Sequence, residues 1–229
     1  MNNSYITINI KINKYKLKGA QSGMTLVELL VVLAIFVIVM GLTIFDYGRF
    51  RSSVSVQNLA DDIALSIRRA QNYAIGVQNA QSDFSNGYGI HFSTATPTSI
   101  RLAGSNKSFI IFNDIPVSGS PNKKYDYDTA SSSSACSSAT LSSGNECLDL
   151  LTITSADEIK YVCPNGTGCT TGYADITFIR PNPDAYICTG SVGGSCSGPL
   201  GSVDIVVQDS KSQSIKTITV SSIGQISIR

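Results

Sequence analysis

Residues 18–45 read KGAQSGMTLVELLVVLAIFVIVMGLTIF. From Leu29 to Met40 no side chain is polar, and Glu28 is the only charge between Met24 and Phe45. At about 1.5 Å per residue, positions 24–45 form a helix of roughly 33 Å, enough to cross a hydrocarbon core of about 30 Å. Lys11, Lys14, Lys16 and Lys18 precede the run, and no Asp or Glu occurs before Glu28. That asymmetry places the N-terminal side in the cytoplasm and everything after Asp46 outside it. A secretory signal peptide would be shorter and would end in a small-x-small cleavage site. Here the run continues into Asp46-Tyr-Gly-Arg-Phe-Arg51, which holds no such site. A plain signal anchor leaves Glu28 without a reason. A carboxylate costs about 2.5–3.5 kcal/mol at the bilayer centre, and less near the edge where Glu28 falls, so such a residue calls for a partner.

The junction itself supplies one. A basic leader ending in Gly23, the hydrophobic Met24 after it, Glu28 four positions on and an apolar helix beyond resemble the signal of type IV prepilins and of type II secretion pseudopilins. The resemblance implies that a membrane-embedded prepilin peptidase cuts between Gly23 and Met24 on the cytoplasmic side and then methylates the amine of Met24. A glycine before the cut lets an extended backbone enter a narrow protease site. Glu28 then lies one helical turn from the new amine, and two opposite charges in low dielectric relieve each other's burial cost. In the family this glutamate neutralises the amine of a neighbouring subunit and sets the register of the stack, which makes Glu28 the assembly residue here. Two features depart from the pattern: Met24 stands where Phe is commoner, and the leader is long.

Over the whole 229-residue chain, apolar residues make up 42% and charged residues 14%, with a formal net charge of +1. No global field points to nucleic acid or to an acidic substrate. The six cysteines fall as three local couples, Cys136/Cys147, Cys163/Cys169 and Cys188/Cys196. An even number in turn-rich sequence reads as disulfides in an oxidising, extracytoplasmic compartment, and pairing within each couple is the preferred connectivity. Zinc is not expected: no couple has the short metal-site spacing, and His91 is the single histidine. A strand residue with no ligand role is the simplest reading of His91.

Past the apolar run, Val56, Leu59, Ile63, Ile67, Ala70, Ala74 and Val77 recur every three or four residues, the stripe of an amphipathic helix facing a sheet. Arg68 and Arg69 lie on the other side and read as a solvated face rather than a nucleic-acid patch. Gly41, Gly48 and the Ser52–Ser53 pair predict a bend or local melting near the membrane exit. The helix is expected to end within residues 80–86. Short strands with turn residues between them follow, at 88–92, 99–102, 108–112, 148–154, 159–162, 174–180, 185–188, 202–208, 214–220 and 225–228. The sum is an α+β fold, one long N-terminal helix packed on an antiparallel β-sheet head. It divides into a leader 1–23, a transmembrane and assembly helix 24–46, its amphipathic continuation 47–86, and a head 87–229 with a Ser-rich loop over 118–145. Within the head, Gly87-Tyr-Gly-Ile-His-Phe92, Asp175-Ile-Thr-Phe-Ile-Arg-Pro181 and residues 218–226 resemble the H-type pseudopilins and related minor pilins.

The chemistry expected of such a chain is assembly, not catalysis. There is no nucleophile elbow, phosphate loop or HExxH, and one histidine leaves a single possible base for a triad. No cofactor and no metal is expected. The resemblance implies a minor subunit of a type II secretion pseudopilus that helps initiate or cap the filament, or a minor pilin of a type IV pilus. Its implied partners are the prepilin peptidase, other pilin or pseudopilin subunits, an assembly ATPase and its platform membrane protein. Membrane lipid surrounds the helix before extraction, and the head ends on an extracytoplasmic filament. DNA ranks last as a partner, because Lys211, Lys216 and Arg229 are the only clustered cations near the C-terminus.

Overall fold

A computed structural model of the chain describes residues 23–76, 86–98, 101–116, 121–127, 136, 141–142, 145–182, 184–191, 195–211 and 214–229. The leader up to residue 22, the helix end expected after 76 and most of the loop 118–145 lie outside the described residues. The chain divides into two compact units, Met1–Phe45 and Asp46–Arg229.

One α-helix, α1 (Leu26–Ile75), contributes to both units. Gly41, Gly48 and the Ser52–Ser53 pair all carry helical backbone, so the local melting expected there does not occur. A glycine costs a helix roughly 1 kcal/mol, which cooperative propagation through 50 residues absorbs. In the second unit α1 buries the stripe Val56, Leu59, Ala60, Ile63, Ile67, Ala70 and Ala74. At the far end the Arg180 guanidinium donates from Nε to the carbonyl of Ala74 at 2.8 Å, satisfying one of the acceptors a helix terminus leaves over.

Nine strands follow among the described residues: β1 (Gly87–Ser93), β2 (Ser108–Asp114), β3 (Cys147–Thr152), β4 (Glu158–Pro164), β5 (Tyr173–Phe178), β6 (Ala185–Gly190), β7 (Ser202–Gln208), β8 (Ile215–Ser221) and β9 (Ile226–Ile228). They form two antiparallel sheets, one five-stranded in the order β3-β2-β1-β5-β6 and one four-stranded in the order β4-β7-β8-β9. The strand expected at 99–102 is corrected. Arg101–Ala103 is a 3-10 turn that drops Leu102 into a small cluster and leaves through Gly104 at φ +65°, while residues 99–100 lie outside the described residues.

The main core gathers the α1 stripe, Ile90, Phe92, Ile176, Phe178 and Ile187 of the larger sheet, and Val203, Ile205, Ile218 and Val220 of the smaller. Burial of each large aliphatic side chain contributes about 1.5–3 kcal/mol. Because strand side chains alternate, Ile110 and Phe112 leave the opposite face of β2 and join Leu102, Tyr125 and Cys147 in a second cluster. That packing demands Gly89: a Cβ there would run into the Phe112 ring and come within 2.8 Å of the Ile176 carbonyl. Three disulfides, Cys136–Cys147, Cys163–Cys169 and Cys188–Cys196, tie loops to β3, β4 and β6.

Candidate functional site

The N-terminal segment is built around Thr25. Its hydroxyl oxygen accepts the backbone N–H of Glu28 at 3.2 Å, and its carbonyl accepts the N–H of Leu29 at 3.1 Å. Thr25 is therefore the N-cap of α1 and Glu28 the third helical residue, the T-x-x-E spacing of a capping box. Sequence reasoning passed over Thr25, although this spacing ahead of an apolar run was the signal for it. An acidic group in a helix's first turn also complements the partial positive charge of that terminus. Gly23 and Met24 lie immediately before the cap in non-helical backbone, and both are exposed. The peptide link proposed for cleavage is thus outside the helix, where an extended conformation costs no helical hydrogen bond.

Beyond Glu28 the helix presents only apolar side chains as far as Leu42, and its most apolar 18-residue window is 0% buried. It is long and apolar enough to cross a membrane. Nothing in its own unit covers Val27, Leu30 or Phe36, each more than half exposed. Such a surface needs lipid or other helices around it.

The remaining candidates lie in the second unit. His91 lies buried on β1, its Nδ1 2.6 Å from Asp175 Oδ1 across the β1–β5 pair, with the Tyr125 and Tyr173 rings at 4.9 and 5.7 Å. Its Nε2 has no hydrogen-bond partner among the described residues, and a Cβ on Gly104 would sit 3.4 Å from it. That nitrogen is buried rather than open to solvent. The pairing with Asp175, 84 positions away, carried no signal in the sequence. Asp175, Cys188 and Cys196 bring ligand-type atoms within 4.8 Å of one another, but both sulfurs are spent in a disulfide and cannot bind a metal as thiolates.

Two buried carboxylates hold Ile115 and residues 122–126, after β2, by their backbone. Asp114 accepts the backbone N–H groups of Asn122 and Lys123 at 3.1 and 2.8 Å. Glu146 accepts those of Ile115 and Asp126 at 2.8 and 2.7 Å. Burial, only partly offset by these donors, raises Asp114 to about 6 and Glu146 to about 9.

Compared with known families, residues 18–44 match the prokaryotic N-terminal methylation motif. No curated protein and no solved structure matches the chain. The match supports a type IV pilin-like prepilin signal at this segment, with the processing by prepilin peptidase and the assembly with other pilin subunits that such a signal implies. Together with the apolar helix it fits a membrane-anchored, single-pass protein.

Proposed function

We propose that this chain is a structural subunit, and not an enzyme, of an extracytoplasmic filament: a minor pseudopilin of a type II secretion system that helps start assembly. The observation that carries the reading is the matched segment 18–44 running into an apolar helix that its own unit leaves uncovered. The helix holds the subunit in the cytoplasmic membrane, head outside, until an assembly ATPase acting through a platform protein extracts it. Burial of that helix among neighbouring helices then supplies most of the assembly energy. Glu28 accompanies the methylated amine of Met24 on a neighbouring subunit, so that neither charge enters the helical stack alone.

The test is the N-terminal residue and mass of the chain recovered from membranes with and without the peptidase. A terminus at N-methylated Met24, present only with the peptidase, supports the reading. An intact Met1, or a cut beyond Phe45, leaves a membrane-anchored or secreted β-domain instead. Glu28→Ala is expected to be cleaved normally yet to fail to enter filaments. Normal incorporation of that variant removes the assembly role of Glu28.

A further inference from the structure

Three of the four sheet edges are covered or short. Ser197 and Thr189 exchange backbone hydrogen bonds beside β6, Thr170 and Val162 do so beside β4, and β9 has three residues. The edge at β3, the outer strand of the five-stranded sheet, is different. Ile153, just past its end, donates its N–H to the Lys107 carbonyl at 2.8 Å. Antiparallel alternation then turns the N–H and C=O groups of Leu150 and Thr152 away from β2. Those outward groups meet no hydrogen-bond partner among the described residues. Sheet edges are commonly blunted by Lys or Pro. β3 has neither, and its one charge, Asp149, is tied to Arg69 on α1.

The same edge has a cavity on each face. Leu151 stands opposite Phe109 in the register, and both line a groove of about 530 Å3 against α1, with Leu59, Leu65 and Ile153. Thr152 stands opposite Ser108, and both line a pocket of about 160 Å3 on the other face, with Leu150, Ser105, Arg101 and Lys107. The groove offers apolar contact and the pocket offers positive charge. Neither Arg101 nor Lys107 has an ion partner among the described residues. The Lys107 ammonium donates to the carbonyls of Ala156 and Asp157 at 2.8 and 2.6 Å, which leaves its charge uncancelled.

We propose that the β3 edge docks an extended segment of a different protein, antiparallel to β3 and alternating apolar with acidic side chains. Strand addition of this kind takes affinity from the main chain and specificity from pockets for alternate side chains. The segment's backbone meets the outward groups of Leu150 and Thr152. Residues opposite those two share their face, so the acidic side chains point to Arg101, and the apolar ones between them enter the groove beside Leu65. A second copy fits less well. Its own β3 would bring Leu150 and Thr152 to the cationic face and no carboxylate, leaving each Arg101 without a counter-charge.

The test uses the full chain in detergent and end-capped fluorescent peptides, one alternating Glu with Val and one alternating Gln with Val. The Glu peptide is expected to bind about fivefold more tightly than the Gln peptide, the scale of one exposed ion pair. It is also expected to slow hydrogen exchange at the Leu150 and Thr152 amides. Arg101→Gln removes the preference and keeps the protection. N-methylation of the peptide's Glu amides, which face β3 in this register, abolishes binding, while N-methylation of its Val amides leaves it. Failure of the Glu peptide to bind, equal affinity for the two peptides, or equal loss from either methylation overturns the proposal. So does protection of Leu150 and Thr152 that grows with protein concentration in the absence of peptide, which would mean that a second copy covers the edge. Each of these outcomes leaves the filament reading standing, because that reading rests on residues 18–44.

Discussion

Thr25 and Glu28 illustrate how closely two roles are stacked at one terminus. The hydroxyl of Thr25 fixes where α1 begins, and that start sets how far Glu28 stands from the amine that cleavage would create. Removing an N-cap hydroxyl costs about 1 kcal/mol. Thr25→Ala is therefore expected to speed hydrogen exchange at the Glu28 amide about fivefold in the processed chain, measured in detergent. An unchanged rate would mean that the cap contributes nothing. A second residue-scale effect belongs to Asp114 and Glu146. Both stand above their ordinary values, so the folded chain holds each proton more tightly than the unfolded chain does. The stabilisation from those protons is complete below about pH 4. It is lost as pH rises, through about 6 for Asp114 and about 9 for Glu146. Urea midpoints are expected to fall between pH 5 and pH 9, and Glu146→Gln to flatten the upper part of that decline. A midpoint that rises with pH would show that the backbone donors, not burial, govern these carboxylates.

Helix α1 is the element on which the fold and the proposed function both depend. Its apolar first half has no cover in its own unit, while its second half is amphipathic and buries one stripe in the head. Polar ties reinforce that seat: the hydroxyls of Ser52 and Ser55 donate to Asp209 and Asp157, and Arg69 pairs with Asp149 at 2.9 Å. Ile67 is fully buried. Ile67→Ala removes that contact and leaves a cavity, and is expected to destabilise the processed chain by about 2–5 kcal/mol in urea unfolding. Leu65→Ala, on the open side, is expected to change it by less than about 0.5 kcal/mol. Equal effects at the two positions would mean that the stripe is not the seat of the helix. The 3.6-residue period of this stripe was legible in the sequence because each contact face repeats within the helix itself. The 3-10 turn at Arg101–Ala103 was not, because a short alternating run looks alike whether it joins a ladder or drops one side chain into a pocket.

At the scale of the molecule, the division into two sheets is controlled by long-range structure, while the disulfides fasten short loops onto it. Cys188–Cys196 holds the segment after β6 against its own strand, where Ser197 and Thr189 exchange backbone hydrogen bonds at 2.8 and 3.1 Å. Replacing both cysteines by serine opens a loop of separation 8 and is expected to cost about 2–3 kcal/mol in the chain-entropy picture. Non-reducing peptide mapping checks the connectivity, and any bridge between couples would contradict it.

What the sequence determined by itself was whatever is local. The lysine asymmetry, Gly23, Glu28 and the apolar run carry their meaning in consecutive residues, and the amphipathic stripe and most strands announce themselves by period. Even the cysteine couples lie close enough along the chain for proximity to suggest their partners. The tertiary structure alone decided the rest. It placed β4 with β7 rather than beside β3, joined His91 to Asp175, and set Asp114 and Glu146 as buried acceptors for one loop. It also cut the groove beside Leu65. These arrangements join residues distant in the chain, and their energies depend on burial and pairing that exist only once the sheets have closed around α1. Periodicity records which face of an element is apolar; it does not record which other element that face will meet.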